Sequence, residues 1–336
     1  MCFLAWWSEY GEGAPDGLGA LGVLVIASTQ PTFMASFRAT IAKHPGGAFL
    51  AFFYITSWIL FLPALLGTLG FGLIPVEIPA QPSILLLSLI ALAGGAFLIT
   101  RIADGKDGVR DLRRRYFTWR TGPQWYLLAL FGAPLLLLIG GAVVQGPASL
   151  SAFAARLPEF LPTYLFNVVL IALLISIWEE TGWMAFLTAR WQKRFGPVFA
   201  SLMVAPLFGL GHFPLLFISG GITDSGRLAP SEVPEYLFYL LILFSVPVRL
   251  IVTWLFNSTG GSLPVVALLH ASFDTTASAA ILTGFYPGVD GRLLYFGLAI
   301  VAIGVLVITR GRLGYRETAV APAPVLIPVP TPVPLR

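Results

Sequence analysis

The chain has 336 residues, 57% of them hydrophobic and only 11% charged, with 20 Lys and Arg against 16 Asp and Glu. A mean hydropathy of +0.85 excludes an ordinary soluble domain, which has no use for so much apolar surface. The single cysteine, Cys2, excludes an intrachain disulfide.

Residues 1–42 read as a weakly structured N-terminal extension that carries Trp6, Trp7 and Tyr10. Its apolar stretch, 18–27, is short, follows an acidic segment and lacks a basic flank, so no cleavable signal is expected. Eight apolar runs follow, at 48–68, 83–101, 124–144, 163–189, 197–218, 236–256, 262–282 and 293–309. About twenty residues are needed to cross roughly 30 Å of hydrocarbon. Backbone groups in lipid must be satisfied within the segment, which makes these runs helices. The alternation of a membrane β-barrel is absent. The expected fold is therefore an all-α polytopic membrane protein, a bundle of about eight transmembrane helices over 43–312. The tail, 313–336, has Pro at 322, 324, 328, 330, 332 and 334 and should be extended. No internal repeat is evident.

Basic residues set the orientation. Arg38 and Lys43 precede the first run, and the second connection carries Arg101, Lys106, Arg110, Arg113, Arg114, Arg115 and Arg120. The fourth connection holds Arg190, Lys193 and Arg194, and the C-terminal flank holds Arg310, Arg312 and Arg316. The alternate connections hold far fewer, so both termini are expected on the cytoplasmic side of the cell membrane. The basic loop is read as a solvated topology signal, and no nucleic-acid partner is expected.

Ionisable groups at membrane depth are costly and mark functional sites. Glu179 and Glu180 interrupt the fourth run, His212 lies in the fifth, and His270 lies in the seventh. At 1.5 Å per residue, Glu179 lies roughly 16 Å, His212 roughly 22 Å and His270 roughly 12 Å from the cytoplasmic ends of their helices. All three depths fall in mid-bilayer, so the groups can meet. His270 and Asp274 are four apart and share a helix face, as do Phe208 and His212. Glu179 and Glu180 diverge by about 100° on a regular helix, so one points at the site and the other must pair sideways or be protonated. Two chemistries suit this set. In one, a carboxylate and an imidazole activate water, and a second imidazole with Asp274 stabilises an oxyanion. In the other, Glu179, His212 and His270 hold a zinc ion. No Ser or Cys nucleophile stands beside either histidine in triad spacing.

Three ordered motifs carry a resemblance. Glu179-Glu180-Thr181-Gly182-Trp183 resembles an EExxxR motif, Phe208 to His212 an FxxxH motif, and His270 to Asp274 an HxxxB motif in which B is Asn or Asp. Together they resemble the CPBP intramembrane proteases, which include type II CAAX prenyl endopeptidases and abortive-infection membrane proteins. Lys43-His44-Pro45, the arginine-rich loop and the stretch 253–262 extend the likeness over about 43–310. The resemblance implies an intramembrane endopeptidase acting on a peptide or membrane-protein substrate in the bilayer; without a compact metal-ligand motif, a metal-free glutamic type without a cofactor is expected. The resemblance also implies catalytic roles for Glu179 as general base assisted by His212, for His270 and Asp274 at the oxyanion position, and for Glu180 as hydrogen-bonding support. Phe208 would pack against the catalytic face.

Two positions depart from the pattern. Met184 stands where the motif has arginine, and Arg190 or, on the sixth run, Arg249 is the candidate replacement. An ionised Asp274 would repel an oxyanion, so it must be protonated, bind a cation or act through water. These departures leave a catalytically silent scaffold or bacteriocin-immunity factor as the alternative function. A transporter would show paired repeats and broken helices instead.

Overall fold

A computed structural model describes residues 34–221 and 228–316. Most of the N-terminal extension and nearly all of the Pro-rich tail lie outside the described residues. Residues 34–43 are helical and lead through His44 into the first long helix.

The elements are α1 (Pro45–Leu66), α2 (Gln81–Ala103), α3 (Gly105–Arg114), α4 (Pro123–Gln145), α5 (Ala148–Phe195), α6 (Pro197–Leu210), α7 (Val233–Ser258), α8 (Leu263–Ala277), α9 (Ala279–Phe285) and α10 (Arg292–Thr309). No strand occurs among the described residues. Seven helical segments are long and apolar enough to cross a membrane, and α8 with α9 makes an eighth if the bent pair is one span. The chain is an all-helical, multi-pass membrane protein.

Local chemistry sets many boundaries. Proline stands in the first turn of α1, α4 and α6, where its missing N–H forfeits no helical bond. Ser262 caps α8 by accepting from the Val265 N–H at 3.4 Å. Gly196, at φ 79°, makes the reversal between α5 and α6 in a conformation that an L side chain resists.

Three boundaries differ from those expected from the apolar runs. The fourth span, expected over 163–189, belongs to a helix of 48 residues. That is roughly 70 Å long, more than twice the hydrocarbon thickness. Pro158 and Pro162 do not stop it. Phe153 stacks on Tyr286 and Phe160 meets Phe285 edge-on, and Arg156 donates to the Gly284 carbonyl, so packing holds the early turns. The fifth span stops being α-helical at Leu210, and His212 lies in the turn that follows. Pro214 disfavours helical geometry at the residue before it, and a short 3-10 turn, Phe213–Phe217, completes the segment. The seventh span breaks at Ser278, which is extended (ψ 142°), and α9 turns away from α8 by 61°.

α8 is the axis of the bundle. It packs against α4, α5 and α7, and nearly every residue from Leu263 to Thr276 is buried. A helix apolar around its whole circumference belongs in such a core. This placement puts His270 at the centre of the protein.

Candidate active site

The two glutamates sit where α5 leaves regular geometry. Hydrogen bonding widens to the i→i+5 pattern over Ala172–Ser176 and again over Thr181–Thr188, and only Ile177–Glu180 between them is α-helical. Such bulges recur at functional sites because they re-aim side chains within a helix. Beside them, a Cβ on Gly182 would lie 2.9 Å from Phe49 Cζ and 3.0 Å from Leu92 Cδ2. Glycine at this position lets α5 close onto α1 and α2. Trp183 then packs among Phe49, Phe53 and Phe208.

The carboxylates have separate partners. Glu180 is fully buried and receives a bidentate guanidinium from Arg249 of α7, one bond at 3.1 Å and the other shorter. His270 Nδ1 lies 2.7 Å from Glu180 Oε1. A carboxylate oxygen accepts, so the imidazole donates from Nδ1 and directs Nε2 into the cavity. That Nε2 is 3.9 Å from Glu179 Oε2 and 3.6 Å from Asp274 Oδ2. Neither distance is a hydrogen bond. Glu179 Oε1 lies 3.1 Å from the Ser88 hydroxyl, which is also 2.9 Å from the Ile84 carbonyl and has one proton to give.

His212 is placed by the turn after α6. Its Nδ1 lies 3.1 Å from the Phe208 carbonyl, which only accepts, so Nδ1 donates and Nε2 is the free nitrogen. Its ring meets Phe208 edge-on at 5.0 Å between centroids. Phe208 also meets His270 at 5.9 Å, and the Arg249 guanidinium lies 4.5 Å from its ring centre. The arginine is therefore held by a carboxylate on one side and an aromatic face on the other.

These elements enclose a cavity of about 210 Å³, lined by Glu179, His212, His270 and Asp274 among apolar side chains such as Phe53 and Leu87. Glu180 lies behind the wall. The structure thus brings all five sequence-selected residues to one site. Asp274 is the most open of them, with its side chain 38% exposed. Met184 is buried and faces Thr253, whose hydroxyl lies 3.8 Å from its sulfur. Arg190 pairs with Asp104 near the end of α5, well away from the glutamates. Arg249 therefore supplies the cation missing at 184. Among the described residues, no three His, Cys, Asp or Glu side chains group as ligands of one metal ion.

Residues 161–276 match the family model described as type II CAAX prenyl endopeptidase, Rce1-like. The match covers about a third of the chain, and over that segment the chain is similar to the CAAX-protease family. The matched segment contains Glu179, Glu180, His212, Arg249, His270 and Asp274, while Ser88 lies outside it. The matched family is one of intramembrane CAAX-type endopeptidases, hydrolases that act on proteins. No curated protein matches the chain.

Sequence reasoning passed over Ser88 as an ordinary small residue of an apolar helix. Its only signal was polarity within the run 83–101, and serine there usually bonds its own helix. The contact between Tyr116 and Thr181, at 2.5 Å, was equally hidden.

Proposed function

We propose that the CAAX-protease domain is an intramembrane endopeptidase that cleaves a peptide or membrane-protein substrate with water activated by Glu179. The observation that carries this reading is the division of labour between adjacent carboxylates. Glu180 is neutralised by Arg249 and bonded to His270, whereas Glu179 faces the cavity with His212, His270 and Asp274. Glu179 takes a proton from water as the oxygen attacks the scissile carbonyl, with His212 Nε2 accepting from the same water, and Glu179 then returns that proton to the amine nitrogen as the C–N bond breaks. His270, protonated on both nitrogens and oriented by Glu180, donates from Nε2 to the developing oxyanion beside Asp274. Phe208 keeps both imidazoles and Arg249 in place. Cleavage of a membrane-derived peptide by the purified chain, compared with its Glu179→Gln variant, tests the proposal.

Asp274 serves as a neutral acid that donates to the oxyanion. Activity then falls on the alkaline side as the carboxyl ionises, because only the protonated form donates. Asp274→Asn retains substantial activity and lacks that alkaline limb. Asp274→Ala loses about a hundredfold in kcat, the cost of one oxyanion donor. Superimposable pH–rate profiles for wild type and Asp274→Asn would exclude the neutral-acid role. Complete loss in Asp274→Asn would mark a carboxylate that is needed as such.

The arginine-rich connection around α3 and both termini face the cytoplasm, supported by the concentration of Lys and Arg on alternate connections. A reporter fused near Gly108 accordingly reads as cytoplasmic, and an extracytoplasmic signal from that fusion would invert the topology.

A further inference from the structure

The connection between α2 and α4 carries charge that the catalytic proposal does not use. Lys106, Arg110 and Arg113 recur at intervals of four and three, which places them on one face of α3. With Arg101 and Arg114 they line an open groove of about 600 Å³ that Phe117 borders. Arg110 pairs with Asp107 at 2.9 Å. Among the described residues, Arg101, Lys106, Arg113 and Arg114 have no acidic partner, and all four are exposed. Phe117 is 75% exposed and Trp119 52%. One span ends at Ala103 and the next begins at Pro123, so this groove lies at the level of the lipid headgroups. Aromatic rings at that level are interfacial anchors, and clustered Lys and Arg attract anionic headgroups. A topology signal alone needs basic residues somewhere in the connection. It does not need them gathered around one groove, unpaired, beside exposed aromatic rings.

We propose that this groove binds the headgroups of anionic phospholipids from the adjoining leaflet. The bound phosphate would sit among Arg101, Lys106, Arg113 and Arg114, with Phe117 in the acyl boundary. The same segment is bonded to the helix of the two glutamates. The Tyr116 hydroxyl meets Thr181, the residue after Glu180, and its ring lies 5.9 Å from that of Trp178. Asp104 pairs with Arg190. A lipid in the groove therefore holds in place a segment that braces the catalytic helix.

The test uses the full chain in nanodiscs of phosphatidylcholine with or without phosphatidylglycerol, and native mass spectrometry counts the lipids that stay bound. Phosphatidylglycerol is expected to be retained in preference to phosphatidylcholine. A near-surface cation contributes about fivefold to such binding, so Arg113→Gln should weaken retention by about that factor. The combined Arg101→Gln, Lys106→Gln, Arg113→Gln and Arg114→Gln variant should show no preference. Replacing the three arginines by lysine keeps the charge and should keep the preference, which separates lost binding from lost folding. Equal retention of both lipids by wild type, or an unchanged preference in the glutamine variant, overturns the proposal.

Discussion

Replacing Glu179 by glutamine is expected to abolish peptide cleavage and to leave the fold intact. Glutamine has the same shape, and its carbonyl oxygen still accepts from the Ser88 hydroxyl that lies 3.1 Å from Glu179 Oε1. It cannot take a proton from water. Loss of a general base costs up to about 10⁴-fold in rate, and the other carboxyl lining the cavity, Asp274, is assigned the neutral-acid role. Glu180 cannot take over, since Arg249 and His270 occupy its oxygens. Turnover of a membrane-derived peptide by purified wild type and variant measures the effect, and the thermal midpoint of each reports the fold. Undiminished cleavage by Glu179→Gln would remove Glu179 from the mechanism. No cleavage by wild type across a broad peptide pool would favour the silent scaffold. Metal content, measured on the same active preparation, decides the other chemistry. One zinc per chain, with activity lost to a chelator and restored by zinc, would make Glu179, His212 and His270 ligands instead.

Arg249→Met is expected to destabilise the protein by about 3–5 kcal/mol, the usual cost of leaving one member of a buried ion pair alone. Both partners are essentially inaccessible, at 1% and 0% side-chain exposure, so no solvent can replace the lost guanidinium. His270 remains bonded to Glu180 but cannot replace a bidentate cation. The double variant Glu180→Gln with Arg249→Met removes both charges and should recover most of the loss, and the double-mutant cycle gives their coupling directly. Arg249→Lys should fall between, because one ammonium cannot make two parallel bonds to the carboxylate. Thermal midpoints in detergent measure the series. A single variant as stable as wild type would show that the pair is not a structural tie.

The residues legible in the sequence were those that the bilayer makes conspicuous. Glu179, Glu180, His212 and His270 stand out because charge and polarity are costly in hydrocarbon. Asp274 stood out through its four-residue spacing from His270. Ser88 and Thr181 did not, since small hydroxyl residues enter apolar helices at little cost by bonding a carbonyl of their own helix. Each forms such a bond here, Ser88 with Ile84 and Thr181 with Ile177. The departure at Met184 could be noted in the sequence, but only packing could choose between Arg190 and Arg249 as its replacement. Arg249 lies 69 residues from Glu180, a separation that no helical period constrains.

By itself, the sequence determined the class of the fold, the apolar spans and the alternation of basic connections. The physical reason is that hydrocarbon thickness, unsatisfied backbone groups and the cost of moving charge act on each segment separately. Only the tertiary structure decided where α6 stops, that α8 breaks at Ser278, that α5 runs 48 residues, and which cation and imidazole Glu180 pairs with. Those outcomes depend on side chains from helices far apart in the chain. The guanidinium of α7 takes Glu180, the imidazole of α8 bonds the same group, and Glu179 is left with Ser88 of α2 at the cavity wall.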